Sequence, residues 1–152
     1  MHIVLVEPEI PSNTGNISRT CACTGATLHL VGPLGFSTSD KYLRRAGLDY
    51  WHQLKIYEYD NLQQVWEKYP EGRFFYATTK AQKRYTEHHY LPGDFFVFGK
   101  ETKGLPSDLI SQNQETALRI PMTITNRSLN LSNAVAIVLY EALRQTGFHE
   151  LD

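Results

Sequence analysis

The sequence predicts an α/β fold, a mostly parallel sheet with helices on both faces. Short apolar runs alternate with stretches of helical periodicity, the pattern of a parallel sheet covered by its own crossover helices. The runs around Val4, Phe74 and Phe95 show little polar alternation, as strands buried on both faces require. Three segments rich in glycine, asparagine or serine, at 13–19, 98–106 and 128–134, each join a strand-like run to a helix-like one.

Strands are expected over 3–6, 28–31, 54–57, 74–78, 95–98 and 117–120. The first helix is expected over 15–23, behind a polar cap at Ser12 and Asn13. A second is expected over 61–68, where Leu62, Val65, Trp66 and Tyr69 share a face and Pro70 closes the run. A short helix follows Pro106 with Ser107 as its cap. The last covers 131–145, with Leu131, Val135, Val138, Leu139 and Ala142 at helical spacing and Gly147 as the stop. Segment 80–94 resists assignment: it is long, polar and aromatic, and a functional loop and a solvated excursion both fit it.

A chain of 152 residues, 41% hydrophobic and 20% charged, reads as one globular domain over 1–152 with no separate recognition module. Function is then expected on the core fold itself. The N-terminus lacks a basic region, and its apolar run is too short for a signal or membrane segment, so the expected location is cytoplasmic. Cys21 and Cys23 stand two apart on a helix, where their side chains point to different faces, and read as unpaired thiols. With no second cysteine pair, no metal is expected.

A net charge of −1 gives no global signal for nucleic acid, so an RNA partner has to meet local patches. Lys41, Arg44 and Arg45 form one, and Lys80, Lys83 and Arg84 another, the latter followed by Tyr85, His88 and His89. The histidine pair reads as exposed, able to offer stacking or polar contacts to single-stranded bases. Gly99 and Gly104 have the spacing of a Walker A loop, but Leu105-Pro106 stands where Lys-Ser/Thr belongs. The first turn carries Pro8, Pro11 and Asn13 rather than a dinucleotide fingerprint, and no Gly-x-Ser-x-Gly elbow is present.

Asn13-Thr14-Gly15-Asn16-Ile17-Ser18-Arg19, Phe98-Gly99-Lys100-Glu101-Thr102-Lys103-Gly104-Leu105-Pro106, and Ile120-Pro121 followed by Ser128-Leu129-Asn130-Leu131-Ser132-Asn133-Ala134 resemble the three motifs of SPOUT-superfamily RNA 2′-O-methyltransferases. Glu7-Pro8-Glu9-Ile10-Pro11 and Leu43-Arg44-Arg45-Ala46-Gly47-Leu48-Asp49-Tyr50 narrow the resemblance to the YibK or TrmL group. Ser18, Cys23 and Leu129 depart from the usual residues of that pattern without removing a proposed catalytic group.

The resemblance implies a C-terminal deep trefoil knot holding S-adenosylmethionine, with S-adenosylhomocysteine as product, a homodimer, and methylation of the wobble ribose of leucine tRNAs. It implies a cofactor pocket of Ala77, Thr78, Thr79, Gly99, Glu101, Gly104, Ile120, Ser128, Leu129 and Asn133. It makes Arg19 the catalytic residue; the RNA contacts are expected at Asn13 and Asn16 and at the basic patches of Lys41, Arg44, Arg45, Lys80, Lys83 and Arg84. An arginine is a poor base, so Arg19 is expected to position the 2′-hydroxyl and its neighbouring phosphate. Glu101 and Asn133 have an alternative duty in shaping loops. Two further readings stay open: a knotted RNA-binding or chaperone protein without turnover, and a methyltransferase for a different RNA site. A small nucleotide-binding oxidoreductase is disfavoured by the absent fingerprint.

Overall fold

The computed structural model describes residues 1–39, 54–149 and 151–152. Six strands form one sheet: β1 (His2–Val6), β2 (Thr27–Val31), β3 (Ile56–Tyr59), β4 (Phe74–Ala77), β5 (Phe95–Phe98) and β6 (Ala117–Leu118). Their order is β3-β2-β1-β5-β4-β6, and every pairing is parallel. Among the described residues four α-helices accompany them: α1 (Pro11–Thr24), α2 (Leu62–Lys68), α3 (Ser107–Gln112) and α4 (Leu131–Gln145).

The period-2 alternation of strand side chains sorts the apolar residues into two cores. Ile3 and Leu5 of β1, Leu28 and Leu30 of β2, and Phe96 and Phe98 of β5 face α1 and α4, which bring Ile17, Cys21, Val135, Val138, Leu139 and Ala142. Val4, Val31, Tyr76, Phe95 and Val97 point the other way, against Val65 and Trp66 of α2 and Leu109 and Ile110 of α3. Helices therefore cover both faces, as the unbroken apolar runs require. Burial pushes the Cys21 thiol up to about 12, so it is an apolar packing group.

Several expected boundaries moved, each for a local reason. Helix α1 begins at Pro11 rather than Gly15: proline's fixed φ suits the first helical turn, where a missing N–H costs nothing, and no side-chain cap is used. Ser107 is the first residue of α3, not its cap, and its hydroxyl lies 3.3 Å from Asp108 Oδ1. Strand β3 starts two residues later than expected, in register with β2 from Leu28–Ile56 to Val31–Tyr59. Strand β6 stops at Leu118, because Arg119 turns to pair with 83–85: its N–H donates to the Lys83 carbonyl and its carbonyl accepts from the Tyr85 N–H.

Segment 80–94 is not a solvated excursion. Tyr90 is 1% exposed, edge-on to Phe75 and Phe96, and Gln145 of α4 accepts from the Tyr90 N–H while donating to the His88 carbonyl. His88, expected to be exposed, is 9% exposed, and its Nε2 lies 3.0 Å from the Ala117 carbonyl. Burial lowers its pKa, and that position offers nothing to an RNA base. His89 does stay on the surface.

Candidate functional site

The order of strands reverses direction beside β1, whose neighbours are β2 and β5. In open α/β sheets ligands collect beyond the carboxyl ends of the strands near such a point. Here those ends carry the loop 7–10 after β1, the loop 78–82 after β4, the loop 99–106 after β5 and the segment 119–130 after β6.

These four loops, with α3 and α4, enclose a cavity of about 770 Å³. Ala77, Thr78 and Thr79 line it from β4, Gly99, Glu101 and Gly104 from the loop after β5, and Ile120, Ser128 and Leu129 from the segment before α4. Asn133 is not in the lining; its backbone N–H sits in the first turn of α4, beside the Asn130 cap. Ile10, Lys100, Leu105, Met122 and Ala134 also face the cavity; all but Met122 lie within the motif segments, but none was expected as a pocket residue.

The loop after β5 holds its shape through two glycines. Gly104 has φ of 66°, in the left-handed region, and its N–H closes on the Lys100 carbonyl at 2.8 Å. A Cβ on Gly99 would stand 2.0 Å from the Gly104 carbonyl carbon and 2.2 Å from the Leu105 nitrogen. Only glycine permits the loop to fold back on itself there.

A hydrogen-bond network joins all three motifs. The Glu101 carboxylate accepts from the Glu9 N–H at 2.8 Å, the Ile10 N–H at 3.1 Å and Asn13 Nδ2 at 3.2 Å. Asn130 Nδ2 donates to Asn13 Oδ1 at 2.9 Å, while Asn130 Oδ1 accepts from the Ser132 N–H and caps α4. In return the Glu9 carboxylate accepts from the Thr102 N–H and hydroxyl. Glu101 lines the cavity and also ties loop amides together; Asn13 is 5% exposed with both ends of its amide occupied by protein.

On α1 the residues Ser12, Asn16, Arg19 and Cys23 form the outward stripe, while Asn13, Thr14, Ile17 and Ser18 are buried. Because the helix starts at Pro11, Arg19 stands more than two turns in, not one, and lies outside the cavity lining. Lys80 and Arg84 are exposed, and Lys83 is ion-paired with Glu115 at 2.7 Å. Lys41, Arg44 and Arg45 lie outside the described residues.

The cavity fits S-adenosylmethionine by the chemistry of its walls. Its volume lies in the range of small-molecule sites. Apolar groups from Ile120, Leu129 and Leu105 flank backbone-rich glycine loops, and Leu105-Pro106 stands where the Lys-Ser/Thr pair of a nucleotide-phosphate loop would be, which a cofactor without phosphate does not need. Among the described residues no group of three or more His, Cys, Asp or Glu is placed to hold a metal ion, and no helix is long and apolar enough to cross a membrane.

Comparison with known proteins points the same way. The profile of the SpoU rRNA Methylase family matches residues 1–140. A protein of Methylovorus glucosotrophus named tRNA (cytidine(34)-2′-O)-methyltransferase is 50% identical over 96% of this chain and 96% of its own. A solved structure described as giving insight into 2′-OH methylation of C/U34 on tRNA is 41% identical, with a TM-score of 0.91 over 96% of this chain and 95% of that one. An AdoMet-bound rRNA methyltransferase from Sinorhizobium meliloti is 25% identical, with a TM-score of 0.84 over 99% of this chain and 57% of the neighbour.

Proposed function

The chain belongs to the SpoU rRNA Methylase family, and on that premise we propose that it transfers a methyl group from S-adenosylmethionine to the ribose 2′-hydroxyl of tRNA nucleotide 34. The substrate is a wobble cytidine or modified uridine, in leucine tRNAs. The observation that carries this reading is the single cavity lined by the second and third motifs and tied by Asn13, Glu101 and Asn130 to the first. The full-length likeness to a protein named for that reaction supports it, as does the AdoMet-bound neighbour.

Bound in the cavity, the cofactor supplies a sulfonium-activated methyl group. Ala77, Thr78, Thr79, Gly99, Gly104, Ile120, Ser128 and Leu129 hold it through backbone groups and apolar walls, and Glu101 fixes the loop that carries Gly99. Asn133 contributes through the first turn of α4. Arg19 binds the 2′-hydroxyl and the adjacent phosphate with its planar fork, restricting the hydroxyl to one approach while its proton leaves to phosphate or water. Asn16, one turn before Arg19 on the same outward stripe, together with Lys41, Arg44, Arg45, Lys80, Lys83 and Arg84, contacts the RNA; Asn13 sets the geometry beneath them.

We infer further that the protein acts in the cytoplasm as a homodimer built on the knotted domain. The outward position of Arg19, beyond the cavity lining, favours a site completed by a second copy. Ile137 and Tyr140, exposed on α4, supply apolar surface for that contact.

The test is labelled methyl transfer into tRNA from a strain lacking the modification, followed by mapping. Label on the ribose of nucleotide 34 is expected. Label on a base or elsewhere in the RNA overturns the assignment, and binding without transfer favours the chaperone reading.

A further inference from the structure

Beside the cofactor cavity, a second one of about 340 Å³ lies between the carboxyl ends of β1 and β5. This is the crevice at the reversal of strand order, the position where open parallel sheets most often take an anionic or polar ligand. Val6 and Glu7 line it from β1, and Lys100, Lys103, Gly104 and Ser107 from the chain after β5, with Lys80 closing it from the loop after β4.

Three lysines and one glutamate thus line it in a chain whose overall charge is −1. The carboxylate is itself unusual. Glu7 has φ of 51°, a left-handed conformation that side chains other than glycine, asparagine and aspartate seldom adopt, and it holds Lys100 in an ion pair at 2.5 Å. Strain of this kind persists where surrounding structure enforces it: the Glu7 N–H is fixed on the Val31 carbonyl at 2.7 Å. Lys80 and Lys103 have no ion pair with a described carboxylate.

Lys80, Lys100, Lys103, Gly104, Leu105 and Ser107 line both cavities, so the basic crevice and the methyl-donor cavity share a wall. A ribose 2′-hydroxyl is one carbon away from the carbon that bears the 3′-phosphate, so a hydroxyl delivered to the cofactor brings a phosphate to its immediate surroundings. We propose that the crevice between β1 and β5 is an oxyanion subsite in which Lys100 and Lys103, with Lys80, receive a backbone phosphodiester of the RNA, and that Glu7 holds Lys100 in place until the phosphate arrives. This rests on the reading of the protein as an RNA ribose methyltransferase. The same ammonium groups would also suit a carboxylate, and the cofactor's methionine end is the competing source.

The test measures binding of an unmodified leucine tRNA transcript with saturating S-adenosylhomocysteine, by anisotropy between 50 and 200 mM salt, alongside calorimetry of S-adenosylhomocysteine alone. For Lys103→Gln the expected result is about a fivefold loss of RNA affinity near 0.1 M salt and a salt slope reduced by about 0.7, the value of one single-strand phosphate contact. Lys100→Gln moves the same way. Glu7→Gln removes the competing carboxylate and steepens the slope. S-adenosylhomocysteine affinity stays unchanged throughout.

An unchanged slope in both lysine variants overturns the proposal. So does a loss of S-adenosylhomocysteine affinity in Lys103→Gln, which assigns the lysines to the cofactor's carboxylate, or a lowered slope in Glu7→Gln. Should the wild-type protein neither bind tRNA nor label ribose 34, it is the functional reading that has failed, not the assignment of the crevice within it.

Discussion

At the scale of single residues, the site divides into groups that act on ligands and groups that hold loops. Arg19 is proposed for the first kind: it stands on the outward stripe of α1 and lines no part of the cavity. Arg19→Ala is expected to lower turnover by about 10²-fold or more, the scale of losing one oriented electrostatic group, while calorimetry shows unchanged cofactor affinity. A parallel loss of cofactor affinity would move Arg19 into the binding site. Glu101 holds loops, accepting three hydrogen bonds from the loop after β1 and from Asn13, and it also faces the cavity. Replacing it by alanine leaves those donors unpaired, with an expected cost of about 2 kcal/mol in denaturant unfolding. Cofactor affinity should fall with it; an unfolding midpoint equal to wild type would show that the network is not structural.

The elements show what sequence patterning reveals and what it hides. Strand β5 over 95–98 and helix α4 over 131–145 lie where periodicity placed them, because both bury residues at regular spacing. The glycine motifs were equally readable: Gly99 leaves no room for a Cβ, and Gly104 takes a left-handed conformation that favours glycine. Gly99→Ala forces a methyl group into the Gly104–Leu105 peptide, so the loop after β5 must open. Cofactor binding is expected to drop below detection in calorimetry while far-ultraviolet circular dichroism stays native; retained affinity would mean that the loop can relax around the methyl group. Segment 80–94 was not readable, because its order comes from distant partners. Arg119 pairs with its backbone, Gln145 fixes Tyr90 and His88, and the Tyr90 hydroxyl donates to the Tyr85 carbonyl. The second cavity was hidden for the same reason: Glu7 and Lys100 are 93 positions apart and meet only once β1 and β5 are paired.

For the molecule as a whole, acid should be the destabilising condition. His2 and His29 lie in one aromatic cluster, with His2 Nδ1 at 2.9 Å from His29 Nε2 and His29 Nδ1 at 3.1 Å from the Tyr59 hydroxyl. Burial lowers their pKa values to about 4 and about 3, from 6.5. The folded protein therefore binds fewer protons than the unfolded chain between these limits, and stability that is complete above pH 6.5 is lost as pH falls towards 4. Calorimetric melting at pH 7 and pH 4.5 should show a lower Tm in acid, and His29→Gln should flatten the dependence; a Tm independent of pH over that range contradicts it. The two-sided sheet, the loops at its reversal point and the outward face of α1 all serve one proposed act, presenting a single RNA hydroxyl to a donor held in the larger cavity. The most direct test is methyl transfer from labelled S-adenosylmethionine to tRNA lacking the modification, with the product mapped to the nucleotide. Label on the ribose of nucleotide 34, reduced about 10²-fold or more in rate by Arg19→Ala, is the predicted result; label on a base, or on no RNA at all, would contradict it.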